Sequence, residues 1–326
     1  MRFTFPPPRL GAIPLVLALH SVLPAHAAQY PSKPVKIITQ AAPGSGPDVI
    51  GRLVAKRLSS QLGQQVLIVN HPGAGGLIAA QAAAAVEPDG YTLYLASGSA
   101  LMVLPQTHAK LPFNFERDFE PIGIVGKTPM LITVSPKLGV SSLPELIALA
   151  KKRPGEILYA GNTPGTVPSL TGEMLKQRAG IDLTFVPYPG AAAALKDLMG
   201  GRISMVIESP AGLSGAIQSG AVKLIAVATE HRIPQFPDVP TVAETLPGFQ
   251  ATGWFALMAR AGTPEAIVDR MSHELRRALE DAEVRGKFDK FGTDATPMTP
   301  TALRAFIARE RKSWTPVIQH TGLKVN

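Results

Sequence analysis

Along the chain, short runs of β-branched and apolar residues alternate with stretches whose apolar positions recur at helical spacing. This is the rhythm of βαβ units around parallel sheets. Val35 to Thr39 reads as a strand, a loop of Ala, Pro and Gly follows from Ala41 to Pro47, and Val49, Ile50, Leu53, Val54, Leu58 and Leu62 then repeat with helical period until Gly63. Val66 to Val69 predicts the next strand. The glycine-rich turn Pro72 to Gly76 leads into an alanine-rich helix at Leu77 to Val86, and Pro88-Asp89-Gly90 turns the chain into a strand at Tyr91 to Ala96. The rhythm restarts with a strand at Leu131 to Val134 and a helix at Leu143 to Arg153, opened by the capping pair Ser142 and Glu145. A strand at Ile157 to Ala160, a helix from about Ser169 to Ala179 and a strand at Leu183 to Val186 follow. A helix at Ala191 to Met199 and strands at Ile203 to Ile207 and Val222 to Ala228 complete this half, with Gly180 and Gly200 where helix stops belong. A proline-rich stretch, Pro234 to Pro247, precedes Thr252 to Met258. Amphipathic helices are expected from Pro264 to about Lys290 and from Pro300 to His320.

Two segments stand outside this rhythm and change the picture. Residues 1–27 carry Arg2 and Arg9 and no acid, then an apolar run from Leu10 to Leu23, then Ala25-His26-Ala27, which is the order of a cleaved secretory signal peptide. The apolar run is short for a bilayer core of roughly 30 Å, and Pro14 and Pro24 interrupt it. Export to the periplasm and a mature chain starting near Ala28 are therefore expected. The chain has no cysteine, so disulfides, thiolate nucleophiles and thiolate metal sites are absent together, and stability must come from the core. About 300 residues of this composition usually divide into two units.

The net charge of +8 falls to +6 once Arg2 and Arg9 leave, a mild positive field that suits an anionic ligand. Nucleic acid is disfavoured, because the densest basic clusters, Lys151-Lys152-Arg153 and Arg309 to Lys312, sit on helix surfaces without interleaved aromatics. The histidines His71, His108, His231, His273 and His320 are far apart, so no metal site is expected, and nothing calls for a cofactor. No G-x-S-x-G elbow and no phosphate-binding lysine loop occurs. No catalytic residue is assigned. A hydrolase assembled from residues distant in sequence stays open as the weaker reading.

In open α/β sheets, ligands bind beyond the carboxyl ends of the strands, where the following helices point their N-termini. Three loops meet that description. In the first, Ala42, Pro43, Gly44 and Ser45 are small enough for backbone N–H groups to approach an anion, and Ser45 and Asp48 have capping-box spacing; Asp48 reads either as a cap or as a ligand contact. In the second, Gly161, Thr163, Gly165 and Thr166 open the next helix, as ligand donors or as an ordinary Thr-capped turn. In the third, Tyr188 and Gly190 precede another helix, so a second carboxylate could be held by N–H groups and the Tyr188 hydroxyl. Two anion sites facing each other suit a dicarboxylate. Gly73 to Gly76, Gly75 included, reads as cleft wall instead of a dinucleotide loop, because Ile78 stands where a third glycine is required. Ser97 and Ser99 are placed to line the same cleft or to serve a plain loop.

Several loops closely resemble those of the tripartite tricarboxylate transporter substrate-binding family, also called Bug receptors. They are Pro43-Gly44-Ser45-Gly46-Pro47-Asp48, Asn70-His71-Pro72-Gly73-Ala74-Gly75-Gly76 and Pro88-Asp89-Gly90-Tyr91-Thr92-Leu93. The likeness continues through Val186-Pro187-Tyr188, Leu198-Met199-Gly200-Gly201, Asp238 to Glu244 and Ala261-Gly262-Thr263-Pro264. Each motif alone is a weak pattern; their joint order over the mature chain carries the resemblance. It departs from the family at Ser45, where a second glycine is usual, and at Pro164, Val167 and Pro168, where small polar residues are usual. The resemblance implies an α/β, type II periplasmic-binding-protein fold of two doubly wound lobes joined by crossing strands near Lys127 and in Ala228 to Pro247. Residues 28–127 with 248–326 would form one lobe and 128–247 the other. It implies a receptor for a small carboxylate, whether di- or tricarboxylate, acidic amino acid or aromatic acid, working with membrane transporter subunits, with a sensory role beside a membrane kinase as the alternative. Glu208, where the family often carries an aspartate, either faces the ligand, or turns to solvent or caps the next helix near Pro210.

Overall fold

The computed structural model describes residues 30–324 together with Met1; the rest of the expected signal segment, with its cleavage point after Ala27, lies outside them. The first sheet collects β1 (Val35–Thr39), β2 (Val66–Asn70), β3 (Thr92–Ser97) and β4 (Phe119–Pro129), with α1 (Gly46–Leu62), α2 (Leu77–Ala84), α3 (Gly98–Thr107) and the single turn α4 (Phe115–Asp118) between them. The second collects β5 (Leu131–Val134), β6 (Leu158–Ala160), β7 (Thr184–Val186), β8 (Met205–Glu208) and β9 (Lys223–Val227), interleaved with α5 (Leu143–Lys152), α6 (Val167–Ala179), α7 (Ala191–Met199) and α8 (Pro210–Gln218). The chain then returns as β10 (Thr252–Arg260) and finishes in α9 (Glu265–Glu280), α10 (Ala282–Lys290) and α11 (Pro300–His320).

Strand order is β2-β1-β3-β10-β4 in one sheet and β7-β6-β8-β5-β9 in the other. Both orders follow one rule. In each sheet four strands share one direction, and the remaining one, fourth in the order and antiparallel to both its neighbours, is the strand that arrives from the other sheet: β10 after β9, and β5 after β4. The chain crosses at Met130, three residues beyond the expected Lys127, and again between Val227 and Thr252. The two crossings are sewn together by backbone bonds. The Met130 N–H donates to the Ala251 carbonyl, the Ala228 N–H to Met130 and the Ala251 N–H to Ala228.

The alanine and β-branched periodicity seen in the sequence becomes three apolar clusters, one of them joining Leu131, Val206 and Val227 of the second sheet to Leu198 and Leu213 of α7 and α8. One apolar cluster under the first sheet joins Val35, Ile37 and Leu93 to Ile50, Leu58, Met271 and Phe288 of the covering helices. A larger one runs from Tyr94 and Leu101 through Met130 and Trp254 to Tyr159 and Leu170, so the crossing strands share a core with both sheets. α11 adds Leu303, Trp314, Val317 and Ile318 to it.

The expected helix from Pro264 to Lys290 breaks at Asp281, whose side chain accepts the Glu283 and Val284 N–H groups as the cap of α10. α3 and α8 were not expected, and neither was β4. α3 holds Pro105 in its last turn and α8 opens on Ser209-Pro210, so local composition hides both. α6 starts at Val167, two residues early, because Pro168 fits the first turn of a helix, where its missing N–H costs nothing. No helix among the described residues is long and apolar enough to cross a membrane.

Candidate functional site

A cavity of about 990 Å³ opens between the carboxyl ends of the two sets of strands. Six helices begin on its wall: the N-cap residues Ser45, Gly76, Ser97, Thr166, Gly190 and Ser209 of α1, α2, α3, α6, α7 and α8 all line it. Each helix start presents N–H groups without intrahelical partners and a partial positive charge. Among the described residues on the wall there is no Lys, Arg or His, and Glu208 is the single charged side chain. The positive potential of this cleft therefore comes from backbone, not from basic residues.

Of the expected ligand residues, Ala42, Pro43, Gly44, Ser45, Gly75, Ser97, Thr163, Thr166, Gly190 and Glu208 line the cavity. The Ser45–Asp48 capping box does not form: Ser45 makes no side-chain cap bond, and its Oγ is buried without a hydrogen-bond partner among the described residues. Ser97 instead caps α3 by accepting the Ala100 N–H, and its Oγ also meets Ser99 Oγ at 2.9 Å and the Gln40 amide. Gln40 accepts in turn from the buried Tyr94 hydroxyl at 3.0 Å.

Four expectations are corrected. Asp48 does not reach the wall, because its carboxylate is spent behind the loop: it accepts the Gly44 N–H at 2.9 Å, Arg52 Nε–H at 2.9 Å and Asn70 Nδ2–H at 2.7 Å. Burial alone would raise its pKa, but these donors outweigh it and hold the carboxyl below the usual range. Gly161 is also off the wall; a Cβ there would sit 2.8 Å from the backbone of Pro168 and Ser169, so it is where β6 presses on the first turn of α6. Gly165, at φ +79°, packs toward Val103 of α3 and not into the cavity. Tyr188 donates its hydroxyl to Asp197 Oδ2 at 2.8 Å, a side-chain tie to α7. Thr166 lines the wall, yet its hydroxyl donates to the Gly161 and Thr163 carbonyls at 3.0 and 2.7 Å and its N–H to Thr163 at 3.3 Å. Loop closure, not a proton for an anion, is what that side chain supplies.

Sequence reasoning passed over Gln40, Asn162 and Trp254, all on the wall. Gln40 and Asn162 each lie just beyond the carboxyl end of a strand, β1 or β6, which was the available signal. Nothing local marked Trp254, which comes from the returning β10 and donates its indole N–H to Glu310 Oε2 at 3.0 Å. Asn162 sits at φ +59° and donates its amide to Glu208 Oε2 at 2.6 Å; the Ser209 N–H donates to Glu208 Oε1 at 2.7 Å. Glu208 has no ion-pair partner among the described residues, and burial raises its carboxyl above the usual range despite those two donors. Among the described residues no group of three His, Asp or Glu is placed to hold a metal.

The family model of the tripartite tricarboxylate transporter family receptor (TctC) matches residues 50–323. The chain belongs to this family. Protein BugT of Bordetella pertussis is 37% identical over 304 residues, covering 93% of each chain. A Rhodopseudomonas palustris protein solved with adipate superposes with a TM-score of 0.85 at 29% identity, covering 90% of this chain and 98% of its own. MatC from the same organism, with bound malate, gives 0.79 at 28%, covering 89% and 99%. This TctC-family chain thus has the two-lobed fold of periplasmic solute-binding proteins and is a receptor, not an enzyme. The cavity lies between its two sheets.

Proposed function

We propose that the mature protein works in the periplasm, capturing a small carboxylate in this cavity and presenting it to membrane subunits of a tripartite tricarboxylate-type transporter. Residues 28–127 with 248–326 would move as one lobe and 128–247 as the other, hinged where Met130, Ala228 and Ala251 exchange backbone bonds. The observation that carries this reading is the convergence of six helix N-caps on one cavity without a basic side chain. N–H groups and the Ser45 hydroxyl supply charge-assisted hydrogen bonds worth about 1.5–3 kcal/mol each, so a few of them reach the roughly −8 kcal/mol of a micromolar complex. The adipate and malate held by the two relatives are ligands of this size and chemistry.

The test is calorimetry and thermal unfolding with a panel of small carboxylates: succinate, malate, adipate, citrate, aspartate, glutamate and nicotinate. Binding of at least one at micromolar affinity, with the compound recovered chemically unchanged, is the expected result. A panel in which nothing binds, or in which a compound is consumed, overturns the proposal.

A further inference from the structure

The carboxylate reading leaves one residue unexplained: an anion-capturing cavity whose single charged wall residue is itself an acid. Resting on that reading, we infer that the ligand is an amino-carboxylate, whose cationic nitrogen pairs with Glu208 while its carboxylate is held by the opposite wall. Glu208 is the last residue of β8, and its side chain is pinned in place. Oε1 takes the Ser209 N–H, Oε2 takes the Asn162 amide, and a Cβ at Gly212 of α8 would lie 2.7 Å from its Cγ, so α8 leaves it no room to swing out. Asn162 makes this contact from a positive φ of 59°, a region that asparagine tolerates better than most residues.

Among the described residues, no protein group neutralises this carboxylate. The loop 161–168, β5, β6 and α8 carry no charged residue, and of the charged residues of α7, Lys196 is exposed while Asp197 is tied to Tyr188 and Arg202. The starts of α7 and α8 next to Glu208 favour its ionised form, and burial works against it. A ligand ammonium arriving in the cleft supplies the missing counter-ion. A second carboxylate in the same place would bring two like charges together away from water, which disfavours plain dicarboxylates. On the first sheet's side of the cavity, Ser45 Oγ, without a hydrogen-bond partner among the described residues, and the first turn of α1 form the wall suited to the ligand's own carboxylate.

Calorimetry at pH 8 with L-aspartate, L-glutamate, succinate and glutarate decides it. Wild type is expected to bind an amino acid at least tenfold more tightly than its amino-free counterpart. In Glu208→Gln that preference should vanish, with weaker amino-acid binding and stronger dicarboxylate binding, while Glu208→Asp keeps the preference. Unfolding of each variant at the wild-type temperature confirms that the fold is intact. Plain dicarboxylates binding as well as or better than the amino acids in wild type, or a preference unchanged in Glu208→Gln, overturns the inference and leaves the carboxylate-receptor reading standing. Absence of binding by all carboxylates overturns both.

Discussion

Asp48 shows how a polar residue in a ligand loop can act from behind it. Its three donors come from the loop (Gly44), its own helix (Arg52) and the neighbouring strand (Asn70), so one buried carboxylate fixes the loop's position on α1. Asp48→Ala leaves these donors unpaired and should cost about 1–3 kcal/mol by chemical denaturation, with weaker ligand binding as the loop loosens. Because its folded pKa lies below the unfolded one, Asp48 contributes stability above the unfolded value, near 4, and that contribution fades as pH falls through the folded value. The gap in denaturation midpoint between wild type and Asp48→Ala should therefore be full at pH 7 and shrink on acidification toward pH 3. A constant gap would rule out the charged tie. Thr166 behaves differently from its expected role: Thr166→Val removes two bonds internal to its loop, so a loss of about 1–2 kcal/mol is expected with a small change in affinity. A large affinity loss without destabilisation would return its hydroxyl to the ligand.

At the level of elements, the cleft is shaped by where helices start. α1 and α8 meet where a Cβ on Gly46 would lie 3.1 Å from the Ala211 Cβ, and a Cβ on Gly165 would lie 3.1 Å from Val103 of α3. Two small residues thus let segments of the two halves of the molecule approach closely. Gly46→Leu should hold the walls apart and weaken binding at least tenfold, while ligand-free stability changes by less than about 1 kcal/mol, since the position is half-exposed in an N-terminal turn. Unchanged affinity would mean that this contact plays no part in enclosing the ligand.

For the whole molecule, the crossing segments touch two spaces. Thr128, Met130, Gly253, Trp254 and Phe255 line the first cavity, whereas Lys127, Pro129 and Thr252 line a second cavity of about 920 Å³ bounded by α6 and α11. Along residues 127–130 this is the two-residue alternation of an extended chain, and it places the first crossing between the two spaces. Enclosure between lobes links binding to global stability. A ligand at a hundredfold its Kd should raise unfolding free energy by about 2.7 kcal/mol, and in Glu208→Gln the rise should track the altered affinity of each compound. A bound compound that leaves the unfolding temperature unmoved would indicate binding outside the cleft.

The local sequence was enough to determine the elements whose cause is local. Strand β1, helix α1 with its Gly63 stop, the α5 cap at Ser142 and the loops that begin α6 and α7 follow from side-chain periodicity, glycine at positive φ and capping hydroxyls. The ordered set of loop motifs also carried the family. What only the tertiary structure decided was direction. Asp48, Tyr188 and Thr166 sit in the loops expected to hold the ligand, yet their polar atoms are consumed by Arg52, Asp197 and the Gly161 carbonyl, partners fixed by packing. Trp254 reaches the cavity from β10, more than two hundred residues after β1, because the chain crosses twice before that strand slots between β3 and β4. Whether Glu208 faced solvent or the cavity depended on Asn162 and Gly212, 46 residues before it and four after, meeting around one side chain. Such contacts arise from three-dimensional neighbours, and no one-dimensional pattern encodes them.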